Sequence, residues 1–342
     1  MDDGIRSLRE SRGWTQGELA DKAGVTRQLV SALEAGRHIP NVVAAIGIAG
    51  ALGISVEQLF GTRQCLPIDP FGTALPSGTP LATAAVGEAI VAIPLRHGVA
   101  NGESWGVADA IAEPNGVSWL PAGSTDGLVI AGCDPVLGVI AGLVERDCTH
   151  RILTVHASTS RSLRALAAGR VHGALVHASA SDFPRPSDLV KRWHVTRWQV
   201  GLASGQRGGP PTVAELVERR RRVVQRESGA GSQHAFVRAL RAVGAHDQLP
   251  GPVGEGHVDV ARRVAQGSGY AGVTMEAAAL AFGLGFSPLE EHAVELWIDS
   301  RWTSLRAVAA MIDILTGQAL ARRVAILGGY DMADCGTERR AS

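Results

Sequence analysis

From Asp126 to the C-terminal region, short apolar strands alternate with amphipathic helices, and this alternation constrains the fold more than any other feature of the chain. Such alternation is typical of an α/β domain with mostly parallel strands. The 342 residues, 45% of them hydrophobic, suffice for two or three domains with sizeable cores. Strands are predicted at residues 128–131, 152–155, 174–176, 223–224 and 271–274, and helices are predicted to begin near Pro135, Thr159, Ser232, His257 and Met275.

Residues 1–61 carry dense helix signals, with apolar residues at spacings of three and four. Thr15 and Glu18 form a capping box that starts one helix, and Gly24 lies where that helix has to end. Thr26 caps a second helix that Gly36 terminates, so the two helices make a helix-turn-helix. The apolar positions predicted to close its core are Ile5, Leu8, Leu19, Ala20, Ala23, Leu29, Val30 and Leu33.

The run from Trp14 to Arg37 resembles the repressor-type helix-turn-helix of the Cro/C1 or XRE family, in its Thr-Gln start, its glycine turn and its Glu-Ala-Gly-Arg ending. In that family the second helix of the motif lies in the DNA major groove and the protein binds two half-sites as a dimer. Arg can form two hydrogen bonds with the O6 and N7 atoms of guanine, and Gln can form two with the N6 and N7 atoms of adenine. The resemblance implies that Arg27 and Gln28 read bases, that Thr26 and Ser31 lie close by, and that Gln16 and Arg37 contact phosphate.

The competing interpretation of this helix-turn-helix is a helical protein-interaction module in which Arg27 and Gln28 are merely solvated. Charge does not decide between the two, because the chain has 33 basic and 33 acidic residues and a formal charge of zero. Residues 1–61 hold six basic and seven acidic side chains. If the domain binds DNA, this balance predicts weak non-specific affinity, with specificity resting on a few placed residues.

Four junctions between a strand and the following helix are the candidate ligand sites, because free backbone amides at such junctions bind anions. The first is Cys133-Asp134-Pro135, where Asp134 is expected to cap a helix. The second, Ser158-Thr159-Ser160, is rich in hydroxyls. The third is the glycine-rich loop at residues 226–233, and the fourth is the helix start at residues 257–261.

These four sequence segments together resemble the substrate-binding-protein-like domain that is fused to XRE-type helix-turn-helices and to molybdopterin-biosynthesis enzymes in bacteria. The resemblance implies two α/β lobes of the type II periplasmic-binding-protein kind, with crossing strands near residues 193–198 and 286–296 and an oxyanion such as molybdate or tungstate in the cleft. The effector contacts expected on this basis are Cys133, Asp134, Ser158, Thr159, Ser160, His177, Arg226, Ser228, Gly229, Gly231, Ser232, His257 and Tyr270.

The chain is therefore predicted to be multidomain. The expected parts are an all-α five-helix helix-turn-helix domain at residues 1–61, a linker and small β-rich module at 62–125, an α/β sensing domain at 126–335 and a tail at 336–342. Two departures from the family pattern bear on the ligand. Gln233 stands where relatives carry an Arg, and Tyr270 stands where they carry an Asp. A different small organic ligand or a transition metal is the alternative effector.

The sequence argues against a metal site. His172, His177, His257 and Cys133 are the candidate ligands, but His172 and His177 flank one strand at a separation of five, which places them on opposite faces. Cys133 is also explained as a small buried hydrophobe, and residues 158–160 as a simple helix cap. Gly229 and Gly231 are equally compatible with a tight turn alone.

No nucleophile elbow, phosphate-binding loop or dinucleotide motif occurs in the sequence, so an enzyme is not expected. Four scattered cysteines, the lack of a signal peptide and the lack of a long apolar span favour a cytoplasmic protein without a membrane segment. The sequence thus predicts a transcription regulator with no tightly bound cofactor. Its expected partners are an operator duplex, a small effector and a second copy of the chain.

Overall fold

The computed structural model describes residues 2–60, 68–95, 107–114, 116–148, 150–205, 209–245 and 249–339. The chain divides into two compact units, Met1–Gln64 and Cys65–Ser342. Much of the expected linker after residue 61, Cys65 within it, and the last three residues of the expected tail lie outside the described residues.

The first unit consists of five helices, as the sequence predicts: α1 (Asp2–Ser11), α2 (Gln16–Ala23), α3 (Arg27–Glu34), α4 (Val42–Ala51) and α5 (Val56–Phe60). The capping box is present, because Thr15 Oγ1 accepts from the Glu18 amide and the Glu18 carboxylate accepts from the Thr15 amide. Gly24 ends α2 in the left-handed conformation, at φ 64°. Ile5, Leu19, Val30 and Leu33 are buried as expected, and Ile48 of α4 joins them.

The second unit begins with a four-stranded antiparallel sheet in the order β2-β1-β3-β4. Its strands are β1 (Pro80–Val86), β2 (Ala89–Pro94), β3 (Ala110–Glu113) and β4 (Gly116–Trp119). Asp109, at the start of β3, accepts from the Thr83 amide at 2.7 Å and from Arg151 at 2.8 Å. These bonds tie the small sheet to the α/β part of the same unit.

Two lobes make up the α/β part. The first contains β5 (Leu128–Gly132), α6 (Val136–Cys148), β6 (Ile152–His156), α7 (Thr159–Ala167) and β7 (Gly173–Ala178), with β5 parallel to both neighbours. The second contains α8 (Val213–Glu218), β9 (Val223–Arg226), α9 (Gly231–Ala242), β10 (Val253–Gly254), α10 (His257–Ala265), β11 (Ala271–Met275) and α11 (Glu276–Ala281), in chain order after the crossing strand β8 (Val190–Ser204).

The two crossing strands, β8 and β12 (Gly285–Asp299), pair antiparallel over almost their whole length. They join the lobes into one sheet of order β10-β9-β11-β8-β12-β7-β5-β6. The crossing strands expected from the family resemblance are therefore confirmed, and the mostly parallel sheet expected from the alternation is mixed at its centre. Gly201 in β8 permits the close pairing, because a Cβ there would lie 2.1 Å from the carbonyl oxygen of Ser287.

After β12 the chain returns to the first lobe as α12 (Arg306–Thr316) and α13 (Gln318–Ala325), and α12 packs on α6. A short strand, β13 (Glu338–Arg339), then pairs with β8. Residues 336–339, which the sequence assigns to a tail, thus lie along the crossing strand, where the His194 amide donates to the Thr337 carbonyl at 2.8 Å.

Candidate functional site

The exposed start of α3 is the candidate DNA-reading surface in the first unit. Thr26 caps the helix by accepting from the Leu29 amide at 3.2 Å. Arg27 and Gln28, the first two helical residues, are exposed and make no side-chain hydrogen bond among the described residues. Arg37 is also exposed, and Ser31 is half-buried on the same helix. The geometry leaves Arg27 and Gln28 free to contact a partner.

Gln16 has a partner inside the unit. Its amide nitrogen donates to Glu34 at 2.9 Å, and Glu34 also pairs with Arg9 at 2.6 Å. Burial raises the pKa of Glu34, but hydrogen bonds from Arg9 and Gln16 outweigh it and leave the net pKa below the usual range. The bond to Glu34 uses one of the two N–H donors of the Gln16 amide and leaves the other for a further acceptor.

In the second unit, buried polar and aromatic side chains meet between the lobes, and we call them the cleft cluster. Each comes from a different segment: the end of β5, the end of β7, the middle of β8, the end of β9, the start of α10 and the middle of β12. Ligand clefts of α/β proteins lie at such carboxyl ends of parallel strands. The cleft cluster consists of Cys133, His177, Trp198, Arg226, His257 and His292, all buried.

A chain of hydrogen bonds runs through the cleft cluster. Cys133 Sγ lies 3.0 Å from His177 Nε2, and His177 Nδ1 lies 3.0 Å from His292 Nδ1. His292 Nε2 lies 2.7 Å from Glu290, which also accepts from Arg238 at 2.6 Å. If His292 donates to Glu290, its Nδ1 accepts from His177, and His177 Nε2 is left as a bare lone pair facing Cys133.

Burial keeps these imidazoles neutral. It lowers the pKa of His177 and of His257 well below the usual range, and the nearby positive charge of Arg226 adds to the effect. Burial also lowers the pKa of His292, against the opposing hydrogen bond to Glu290. The pKa of the Cys133 thiol rises to about 11 through burial, although the charge of Arg226 opposes that rise.

Several buried polar atoms beside the cleft have no hydrogen-bond partner among the described residues. They are Arg226 Nη1, Ser232 Oγ and both ring nitrogens of His257. Arg226 is otherwise held by Glu227, to which it donates twice at 3.1 and 3.2 Å. Unpartnered buried polar groups are rare in folded proteins because each costs about 1–3 kcal/mol. The cleft therefore contains buried donors and lone pairs that no described protein group satisfies.

The serine-rich segment at residues 158–160 and the glycine-rich loop at residues 226–233 face each other across the cleft. Ser160 Oγ, on α7, donates to the Gly229 carbonyl at 3.2 Å and lies 3.3 Å from the Oγ of buried Ser158. A cavity of about 200 Å³ opens between them, with Gly231 and His292 in its wall. A Cβ at Gly231 would lie in ordinary contact with the His292 ring, at 3.4 Å.

Thr159 and Asp134 both have several protein partners. The Thr159 hydroxyl donates to the His177 carbonyl and accepts from the His177 amide, each at 3.1 Å. Asp134 accepts from the Val136 amide, from Trp198 at 2.7 Å and from Tyr330 at 2.9 Å. Burial raises the pKa of Asp134. Thr159 lines the cavity between the lobes, whereas Asp134 does not and instead links α6, β8 and Tyr330.

Ser228 and Tyr270 lie apart from the cleft cluster. Ser228 is exposed, and its carbonyl oxygen lies 2.9 Å from His234. Tyr270 precedes β11, where its ring lies 4.5 Å from the Arg221 guanidinium and its carbonyl accepts from Ser204. Arg221 is half-buried against this ring, so the four-arginine run at residues 219–222 is not wholly a solvated surface.

Gln233, which replaces the expected Arg of the family, has a structural role. Its side chain accepts from the Arg226 amide at 2.9 Å and donates to Gln225 at 2.8 Å. The buried cation of the cleft comes instead from Arg226 on β9. One buried cation, Arg226, therefore lies shortly before the start of α9.

Sequence reasoning missed His292 and Trp198. Both lie on the crossing strands, which the family resemblance located, but no local signal marks a ligand-facing residue inside a long strand. The opposite-face argument for His172 is sound, since His172 Nδ1 accepts from the Val129 amide, outside the cleft cluster. The three remaining candidates, Cys133, His177 and His257, nevertheless come together.

Comparison with known proteins gives two matches to family models. Residues 141–316 match the PBP superfamily domain, and residues 5–59 match a helix-turn-helix model. The first of these covers about half of the chain. Among the described helices, none is both long enough and apolar enough to cross a membrane.

Curated relatives match the helix-turn-helix region. An HTH-type transcriptional regulator of Methanothermobacter thermautotrophicus is 49% identical over 57 residues, which are 16% of this chain and 83% of that protein. Another from Sinorhizobium fredii is 40% identical over 67 residues, 19% of this chain and 82% of that protein.

Solved structures resemble the chain only distantly. An ABC-type phosphate transport receptor from Vibrio cholerae has 10% identity and a TM-score of 0.43, over 60% of this chain and 99% of its own. A mutant of OxyR from Corynebacterium glutamicum has 11% identity and a TM-score of 0.46, over 96% of this chain and 95% of its own.

Buried histidines outside the cleft cluster predict a pH-dependent stability. Burial lowers the pKa of His172 and of His194 to about 4. The folded chain keeps both neutral, whereas the unfolded chain binds their protons below about pH 6.5. The free energy of unfolding is therefore expected to fall by up to about 1.4 kcal/mol per pH unit for each residue between about pH 6.5 and 4.

Urea unfolding of the full chain at pH 7, 6 and 5 measures this dependence. The variant His194→Asn removes an imidazole whose Nε2 has no partner among the described residues. Its free energy of unfolding is expected to fall less steeply with falling pH, because one proton fewer is taken up on unfolding. A decline of equal steepness in the variant contradicts the assignment of His194 as a neutral buried group.

Proposed function

This chain belongs to the PBP superfamily and carries an N-terminal helix-turn-helix domain, and from that membership we propose that it is an effector-responsive transcription regulator. Its first unit binds operator DNA through α3, and its second unit binds a small effector between the lobes. The observation that carries the proposal is the set of unpartnered buried polar atoms in the cleft. It acts as a DNA-binding switch rather than an enzyme, and we place this action in the cytoplasm.

An oxyanion of the molybdate or tungstate kind is the effector that suits these atoms. Arg226 Nη1 and Ser232 Oγ are donors without an acceptor, and Ser232 belongs to the first turn of α9. A helix N-terminus with free amides favours a negative charge. Ser158 and Ser160 add hydroxyls from the opposite lobe. In this proposal a tetrahedral anion accepts from Arg226 Nη1 and Ser232 Oγ, which have no acceptor among the described residues. Ser160 Oγ takes part only by giving up its bond to the Gly229 carbonyl.

Operator recognition by two copies of the chain fits the size of the α3 surface. One helix-turn-helix offers few base contacts, and pairing two of them on adjacent half-sites supplies the rest. The first unit also exposes apolar side chains that a second copy would cover. These are Ile39 and Val43, each 80% exposed, Val42, 74% exposed, and Ile46, 58% exposed.

The base-reading role of α3 is tested with the double variant Arg27→Ala, Gln28→Ala. Selection from a random duplex library is expected to yield a preferred sequence for the native chain and none for the variant. Each well-formed bidentate base contact contributes about 1–3 kcal/mol of discrimination. Gel retardation on the selected duplex and on a scrambled one measures the loss.

The matched control is Gln318→Ala, Arg322→Ala, which removes the same two side-chain types from the exposed face of α13. This control is expected to keep the native preference. If the Arg27, Gln28 variant also keeps it, α3 does not read bases, and the first unit is a protein-interaction module.

The anion site is tested by calorimetry of the full chain with molybdate, tungstate and sulfate. Saturable binding is expected for at least one of them. Replacing Arg226 by Gln removes a charged, buried donor worth about 1.5–3 kcal/mol, or roughly ten- to 150-fold in affinity. The double variant Ser158→Ala, Ser232→Ala is expected to weaken binding in the same direction.

Arg241→Gln is the matched control, since Arg241 is exposed in the last turn of the same helix α9. Circular dichroism of each variant establishes that the fold persists. The oxyanion assignment is overturned if the native chain shows no binding heat with any of the three anions. It is also overturned if the Arg226→Gln variant binds them with the same affinity as the native chain.

A further inference from the structure

Three potential metal ligands of the cleft cluster converge on one point. The ligand atoms of Cys133, His177 and His257 all lie within 4.8 Å of one another, and all three residues are buried. In a tetrahedral zinc site a thiolate sulfur and an imidazole nitrogen lie about 3.6 Å apart, given bond lengths of about 2.3 and 2.0–2.1 Å. The 3.0 Å from Cys133 Sγ to His177 Nε2 needs only a small opening to admit an ion.

The surroundings of His177 favour this role. A metal-bound histidine usually donates its other ring nitrogen to an acceptor that is itself hydrogen-bonded. His177 turns Nε2 toward Cys133 and Nδ1 toward His292, which in turn contacts Glu290. The series Glu290, His292, His177 thus presents the Nε2 lone pair to the space beside the sulfur.

His257 also has the properties of a metal ligand. Both of its ring nitrogens are buried and have no hydrogen-bond partner among the described residues. The ring packs against Trp198, with centroids 5.2 Å apart, and against His177, with centroids 5.6 Å apart. A buried imidazole with an unused lone pair, held beside a thiol and a second imidazole, has the chemistry of a metal ligand.

We propose that Cys133, His177 and His257 form a mononuclear site for a transition-metal ion of the zinc class. One sulfur and two imidazole nitrogens select such ions over Mg²⁺ or Ca²⁺, which prefer oxygen. The ion replaces the Cys133 thiol proton, which passes to solvent. Three protein ligands leave a fourth position open to water or to an oxygen of a cleft ligand.

The site goes beyond the proposed effector site, because the donors assigned to the anion are Arg226, Ser232 and the serine hydroxyls. The two sites are electrostatically compatible. A divalent ion with one thiolate retains a single positive charge, and Arg226 beside it is paired with Glu227, so a net positive charge remains to attract an anion into the cleft. Metal binding is nonetheless measured without any oxyanion, so that failure of one site is distinct from failure of the other.

The test is a Co²⁺ titration of the full chain after treatment with a chelator, without oxyanions and under reducing conditions. One equivalent is expected to give the thiolate-to-cobalt charge-transfer band and the strong visible bands of a four-coordinate ion, both lost on adding Zn²⁺. The variant Cys133→Ser is expected to lose the charge-transfer band. His257→Ala keeps the sulfur and is expected to bind Co²⁺ at least tenfold more weakly.

A positioning role for His292 is tested by His292→Phe, which is expected to weaken Co²⁺ binding by about 10- to 100-fold while the charge-transfer band remains. The matched controls are Cys335→Ser and His172→Asn, which remove a cysteine and a buried histidine outside the cleft cluster. Circular dichroism of the metal-free variants verifies their fold. The proposal is overturned if the native chain gives no cobalt spectrum, or if the spectrum survives Cys133→Ser and disappears with Cys335→Ser.

Discussion

The antiparallel pairing of β8 with β12 is the interaction on which the second unit depends. Fifteen-residue strands cross between the lobes and hydrogen-bond to each other along nearly their full length. Each also pairs with one lobe, β8 with β11 and β12 with β7. The same two strands carry Trp198 and His292 into the cleft. The backbone contacts that hold the lobes together therefore also place the aromatic and titratable side chains of the site.

Burial of polar groups is the constraint that gives the cleft its chemistry. Arg226, Ser232 and His257 hold buried polar atoms that have no partner within the described part of the chain, at a cost of about 1–3 kcal/mol for each atom. The proposed effector recovers this free energy by bonding to these atoms. Ser160 with Gly229 and Arg238 with Asp182 also form hydrogen bonds across the cleft and hold the two lobes together in this structure.

Local signals in the sequence located most elements, because caps and turns act over three or four residues. The capping box at Thr15 and the cap at Thr26 both appear as hydrogen bonds. Local patterns do not predict which residues meet in the cleft. His292 lies 115 positions from His177, yet their Nδ1 atoms are 3.0 Å apart. No spacing rule reaches that far. The hydrogen bond from the Arg226 amide to Gln233 likewise depends on how β9 meets α9.

Coupling between the two units is the central claim of a regulator, and the affinity for operator DNA with and without the effector measures it most directly. Fluorescence anisotropy of the full chain on a selected duplex, with and without saturating molybdate or tungstate, is expected to show a change of at least about fivefold, or 1 kcal/mol. The Arg226→Gln variant is expected to show no change. Equal DNA affinity in the presence and absence of an anion that calorimetry shows to be bound would contradict the account.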